Sequence, residues 1–156
     1  MPEARSNLLK RLDAFVGEWR TEVSIKGRRV AGGRSVFRWL HGKAFLAEHQ
    51  EAGEVTDNAP DGWATHAPTS ADWLTGLDDT ANTFARLYAD SRGVYRVYQM
   101  TLEDGHWEIR REAPGFQQRF TGDFQDDGRT ISGRWEASED GSTWEYDFDV
   151  SYSKIV

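Results

Sequence analysis

Four histidines, His41, His49, His66 and His106, are the side chains of this sequence that ordinarily titrate near neutrality, and cysteine is absent. None of the four stands at the spacing of a His-Glu-x-x-His helix, and no thiolate is there to complete a zinc site, so no metal is expected. His66 falls in an irregular segment, and His41 and His106 adjoin turn residues, all positions that favour hydration. His49 differs because it sits inside a β-rich run. Alternation puts it on the face of Phe45 and Ala47, opposite Leu46, Glu48 and Gln50. It is the best candidate for a proton-exchanging or ligand-binding group, and a satisfied core or rim histidine is the plainer alternative.

Arg96 is the second candidate. Its run offers two faces, Val94-Arg96-Tyr98-Met100 and Tyr95-Val97-Gln99-Thr101, and either choice turns polar groups inward. If Arg96 faces the interior it needs an anion, supplied by a protein carboxylate or by a ligand. If it faces solvent, Val94 is a stray apolar residue. The carboxylate pairs Asp78-Asp79, Asp126-Asp127 and Glu139-Asp140 lie beside Gly or Thr and read as turn chemistry. No nucleophile elbow, phosphate loop or dinucleotide fingerprint is present, and no cofactor is expected.

The elements that must position these groups are mostly strands. Ser6 can cap a helix of roughly three turns over 5–16, in which Leu8, Leu9, Leu12, Phe15 and Val16 recur at helical spacing before Gly17 stops it. From Trp19 onward the period changes to two. Runs over 18–26, 30–40, 43–51, 73–77, 83–89, 94–102, 107–112, 116–124, 130–137 and 143–152 are separated by turn residues at short intervals. Segment 52–70 is the one long loop, with Pro60, Pro68 and an otherwise unexplained Trp63, which either anchors the loop or lies across an opening. The pattern predicts one all-β domain over 1–156: a helix, then an antiparallel up-and-down barrel over 17–156. A β-sandwich is the rival that spacing leaves open.

The last run places Trp144, Tyr146, Phe148, Val150 and Tyr152 on one face and acidic residues on the other. With Tyr88, Tyr98 and Trp63, this face supplies aromatic walls that either fill the barrel or line a pocket. The ligand-binding candidates are thus His49, Arg96, Tyr98, Tyr88, Trp63, Trp144 and Tyr146.

Phe15-Val16-Gly17-Glu18-Trp19 resembles the calycin superfamily, in which a Gly-x-Trp closes a barrel after an N-terminal helix. Leu12 to Trp19, Gly76-Leu77-Asp78 with Phe84 to Tyr88, Asp90-Ser91-Arg92-Gly93, and Ser138-Glu139-Asp140-Gly141-Ser142-Thr143-Trp144 are similar to an uncharacterised bacterial family known as DUF1579. That resemblance implies a lipocalin-like barrel with Trp19 as its plug and is silent on chemistry. Nitrobindin-type haem proteins carry Gly-x-Trp-x-Gly-x-Gly and a haem-ligating histidine near the C-terminus. Here Trp19 is followed by Arg20-Thr21-Glu22-Val23 and the last histidine is His106, so haem is not expected. Fatty-acid-binding proteins hold a carboxylate with Arg-x-Tyr on a late strand, and Arg96-Val97-Tyr98 has that spacing on a middle one.

A formal net charge of -7 repels a phosphate backbone, which excludes nucleic acid as the expected partner. No run reaches the roughly 20 apolar residues of a membrane span, and the N-terminus lacks the apolar core of a signal peptide, so a cytoplasmic location is expected. Whether the chain is a monomer or a homodimer stays open. Three function classes remain: a binding module for a small apolar or amphipathic molecule, a lipocalin-like isomerase, cyclase or hydrolase using His49 with Tyr98 or Glu48, and a packed structural or interaction domain.

Overall fold

A computed structural model describes residues 5–155, apart from the side chain of Ser6. Helix α1 (Arg5–Lys10) passes into a 3-10 turn (Arg11–Phe15). The expected helix is therefore split, its second half tightening as helix ends commonly do, which drives Leu12 and Phe15 into the barrel end. The cap expected of Ser6 falls on a side chain outside the described residues.

Ten strands follow. They are β1 (Gly17–Ile25), β2 (Arg28–Leu40), β3 (Phe45–Val55), β4 (Ser70–Leu77) and β5 (Phe84–Asp90). The second half comprises β6 (Tyr95–Glu103), β7 (His106–Arg111), β8 (Gln117–Phe124), β9 (Thr130–Ser138) and β10 (Glu145–Lys154). Each pairs antiparallel with the next, and β10 pairs with β1, so the sheet closes into a barrel and a sandwich is excluded. Closure leaves no unpaired sheet edge. The β1–β2 and β6–β7 connections are two-residue turns, Lys26-Gly27 and Asp104-Gly105. All four residues have positive φ, the geometry that follows the twist of a hairpin.

The long connection is shorter than its composition suggests. β3 continues to Val55 because Ala52 and Val55 pair with Gly33 and Ala31 of β2, so tertiary pairing overrides the weak strand preference of Gly53. Only 56–69 is irregular, and it contains a single helical turn, α2 (Trp63–His66).

The end beneath α1 is packed solid. Phe15 stacks on Phe37 at 5.2 Å and meets Trp107 and Phe124 edge-on at 4.7 and 5.2 Å. Trp19 is fully buried and its indole N–H donates to the Phe15 carbonyl at 2.7 Å. Plugging this end thus satisfies the one polar atom of the plug. Trp19→Ala should cost about 3–5 kcal/mol, the usual range for deleting a large buried aromatic, measured by urea unfolding. A near-neutral value would mean that the end is closed by other side chains.

Candidate functional site

Above the packed end the interior changes character at a layer of buried polar groups. On β3, inward-facing Leu46, Glu48 and Gln50 alternate with outward Phe45, Ala47 and His49. On β5, Phe84, Arg86 and Tyr88 face in. Arg86 Nη2 donates to Glu48 Oε1 at 2.7 Å, and both side chains are almost wholly excluded from solvent. Arg86 Nε also donates to Thr75 Oγ1 at 3.0 Å, while Glu48 Oε2 accepts from Ser35 Oγ at 2.5 Å and Gln50 Nε2 at 2.7 Å. The guanidinium lies 4.1 Å from the Trp73 ring centroid and 5.5 Å from that of Trp107. Two charges taken from water are thereby matched by each other, by hydrogen bonds and by aromatic faces.

Beyond this layer lies a cavity of about 770 Å³ that opens at the end away from α1. Trp73, Tyr88 and Tyr98 form an aromatic arc, with ring centroids 4.6 and 5.3 Å apart, and Trp135, Val150 and Tyr152 add an apolar wall. Tyr98 donates its hydroxyl to Gln118 Oε1 at 2.6 Å, and Arg96 Nη1 donates to the same oxygen at 3.3 Å. Burial pushes the Tyr98 hydroxyl above its ordinary pKa, so it remains a donor at neutral pH. Arg96 lies 5.1 Å from the Phe116 ring, and among the described residues it has no carboxylate partner. A cation at an apolar cavity with only a neutral amide for company is a place for an anion.

Of the seven residues expected to bind a ligand, the fold brings Arg96, Tyr98, Tyr88 and Trp63 to this cavity. It takes the other three elsewhere. His49 belongs to the face expected, with Phe45 and Ala47, but that face is the outer one. The apolar type of Phe45 and Ala47 suggests an inward face, whereas the inward residues are Leu46, Glu48 and Gln50. Proton exchange by His49 with Tyr98 or Glu48 therefore has no shared chamber. Tyr146 is turned outward by a bulge between Tyr146 and Phe148, where one extra residue, Asp147, interrupts the alternation. Its hydroxyl meets the Lys26 amide at 3.0 Å and Asp149 Oδ2 at 2.9 Å. Trp144 precedes β10 and stacks under Arg119 at 4.2 Å, outside the cavity. The bulge brings Asp147 to the rim of the cavity instead, where it stays exposed and partial desolvation raises its carboxyl pKa.

Trp63 both anchors and covers. It lines the cavity and meets Phe148 edge-on at 6.3 Å, which ties the 56–69 connection to β10 across the mouth. Further tethers of the connection are Arg92, which donates to the His66 carbonyl at 3.2 Å and is held by Asp90, Thr56, whose hydroxyl donates to the Arg29 carbonyl at 2.7 Å, and Thr69, whose amide donates to Ser91 Oγ at 2.9 Å. Burial opposes ionisation of Asp90, but hydrogen bonds from Arg92, Tyr88 and the amides of Arg92 and Val94 outweigh it and hold its pKa below the usual carboxylate range. Asp90-Ser91-Arg92-Gly93 is thus a braced turn.

Arg86, Gln50 and Gln118 are site residues that the sequence does not single out, and Glu48 enters there only as a partner of His49. Arg86 was legible in principle, since it alternates with Phe84 and Tyr88 on an aromatic face. Gln118 carried no signal beyond its place two residues before Phe120. Among the described residues no group of three or more His, Asp or Glu side chains is placed to hold a metal ion, and no helix is long and apolar enough to cross a membrane.

Two expectations follow for the ionisable groups. Arg86→Met should destabilise by about 3–5 kcal/mol because it strands a buried carboxylate, and adding Glu48→Leu should restore much of the loss. A double variant no better than the single one would show that the polar layer has no apolar substitute. On the outer wall, His49 sits between Glu51 at 2.8 Å and Asp72 at 2.7 Å, and His106 between Asp123 at 2.8 Å and Glu108 at 3.3 Å. These hydrogen bonds raise both imidazole pKa values above 6.5. A folded-state pKa raised in this way stabilises fully below the unfolded value and loses its contribution as pH climbs through the folded one. Proton-resolved NMR titration should find both midpoints above 6.5 at low salt and shifted downward in concentrated salt, as half-exposed pairs are screened. Midpoints at the free-histidine value would remove the two acidic brackets.

No protein-family model matches this chain, and no curated protein matches it. Among solved structures, the chain is similar to the crystal structure of Rv2717c from M. tuberculosis, with 15% identity over 96% of this chain and 98% of that one and a TM-score of 0.59, a likeness that shows the barrel fold alone.

Proposed function

We propose that this protein is a binding module for a small amphipathic anion, held in the open half of the barrel with its charge toward Arg96. The observation that carries this reading is the pairing of an aromatic-walled cavity of about 770 Å³ with an arginine that has no carboxylate of its own. Largely apolar walls with a few converging polar groups are the usual composition of a small-molecule site. Asp147 reinforces the polarity, since a carboxylate on the β10 side disfavours an anionic group there and directs it toward β6 and β8. The Arg96-Val97-Tyr98 spacing, similar to the carboxylate-holding pair of fatty-acid-binding proteins, supports the same orientation. The cavity speaks against a wholly filled barrel, and with His49 outside it the enzyme reading loses its histidine, although Tyr98 and His66 line the cavity.

Anilinonaphthalene sulfonate, an apolar anion, provides the test. Titration should show saturable one-to-one binding with quenching of tryptophan fluorescence, and Arg96→Met should weaken it about tenfold, the factor that 1.4 kcal/mol represents. The variant's thermal midpoint should stay within a few degrees of the parent. Absence of saturable binding, or equal affinity in the variant, would overturn the reading. Trp63→Ala should speed both association and dissociation of the probe in stopped-flow measurements, because a bridge from the long connection to Phe148 is removed. Unchanged rates would leave Trp63 as an anchor only.

A further inference from the structure

Resting on that reading, we propose that the bound molecule is a phosphate monoester of a single apolar group, its apolar part on the cavity floor and its dianionic head at the mouth between Arg96 and Arg111.

The strands set the depth of each polar group. On β6 the inward side chains are Arg96, Tyr98, Met100 and Leu102. The Leu102 carbonyl accepts from Arg11 at the packed end, whereas Arg96 follows the braced turn over 90–93 that holds the 56–69 connection. Arg96 is therefore the outermost of the four. On β7, Trp107, Ile109 and Arg111 face inward, and Arg111 is the last residue of the strand at the mouth. Its partner on β8 is Gln118, the side chain that Arg96 and Tyr98 already share.

The floor has no polar function to spare. Gln50 donates to Glu48 at 2.7 Å, accepts from the Trp73 indole N–H at 3.2 Å and is hydrogen-bonded to the Tyr152 hydroxyl. Arg86 and Glu48 answer each other. An anion placed there would have to break these bonds, while an apolar group meets Trp73, Trp135 and Tyr152 and strands nothing.

The mouth is the reverse. The Arg96 guanidinium lies 5.1 Å from the Phe116 ring, and Arg111 Nη1 donates to the Phe116 carbonyl at 3.0 Å, so the two side chains converge on one short stretch of chain. The Tyr98 hydroxyl, 2.6 Å from Gln118, lies in the field of both. Neither arginine has a carboxylate partner among the described residues, in a chain whose net charge is -7. Two neighbouring cations repel each other, and a monoanion offsets only one of them. A phosphate monoester carries close to two negative charges at neutral pH, with three acceptor oxygens, and so answers both guanidinium groups. Asp147 on the opposite side of the mouth keeps that head on the β6–β8 side.

Calorimetric titration of the full-length protein with 1-naphthyl phosphate, 1-naphthalenesulfonate and inorganic phosphate separates head from tail. At about pH 7.5 the first is mostly a dianion and the second a monoanion on the same ring. The ester should bind about tenfold more tightly than the sulfonate and about a hundredfold more tightly than inorganic phosphate. Arg111→Met should collapse the preference for the ester over the sulfonate to about twofold or less, whereas Arg111→Lys, which keeps the charge, should retain most of it. Equal affinities for the two naphthyl anions, or a preference that survives Arg111→Met, would overturn the proposal while the anion-binding reading stands. Inorganic phosphate bound as tightly as the ester would overturn it as well, since the site would then be one for the free ion. Should Arg111→Met fail to fold, the ratio of the two naphthyl anions in the parent protein decides. If neither naphthyl anion binds, the proposal and the reading beneath it fall together.

Discussion

The ion pair between Glu48 and Arg86 sits where the packed half of the barrel gives way to the open half. Its arginine touches Trp107 of the solid core on one side and Trp73 of the cavity wall on the other. Its carboxylate accepts from Ser35 in the core and from Gln50 at the cavity. A buried ion pair is a poor source of net stability, since desolvation consumes most of its attraction. What it provides is position. Every neighbour must present a particular atom to it, so Thr75, Ser35 and Gln50 each have one acceptable geometry.

That constraint explains why the cavity has a defined floor. A hydrophobic barrel of this diameter could collapse inward until its aromatic side chains met, and the packed end does so around Phe15, Trp107 and Phe120. The charged layer sets a limit to that collapse, because apolar rings cannot displace the pair without stranding a charge. Trp73 is held from two directions, by the guanidinium against its face and by Gln50 at its indole N–H, so the first wall of the cavity is rigid. A wall that does not relax into an empty space keeps that space available to a ligand.

At the mouth the organisation is different. The middle of the 56–69 connection has two anchors, Trp63 against Phe148 and the carbonyl of His66 against Arg92, while its ends are fixed by Thr56 on Arg29 and Thr69 on Ser91. The second anchor depends on Asp90, whose carboxylate is enclosed by Tyr88, Arg92 and two backbone amides. A stiff floor and a sparsely held cover are the combination that allows access without disturbing the core.

The strand-rich architecture, the turn positions and the closing role of Trp19 were legible in the sequence because they are local. Period-two alternation, Gly and Asp at turns, and a Gly-x-Trp after a short amphipathic helix each operate within a few residues. Which face of each strand turns inward was not local. His49 shares its face with Phe45 and Ala47 and reads as interior, yet pairing with β2 and β4 puts Leu46, Glu48 and Gln50 inside. A single bulge at Asp147 reversed Tyr146, since one inserted residue shifts the alternation on one side of it. Glu48 and Arg86 are 38 residues apart and meet because β3, β4 and β5 lie side by side, and Tyr98 and Gln118, 20 apart, meet across β7. The sequence by itself determined that these strands form and where they turn. Only the tertiary structure decided which polar side chains share the interior, because burial of a charge is settled by the partner it meets on a nearby strand and not by its neighbours along the chain.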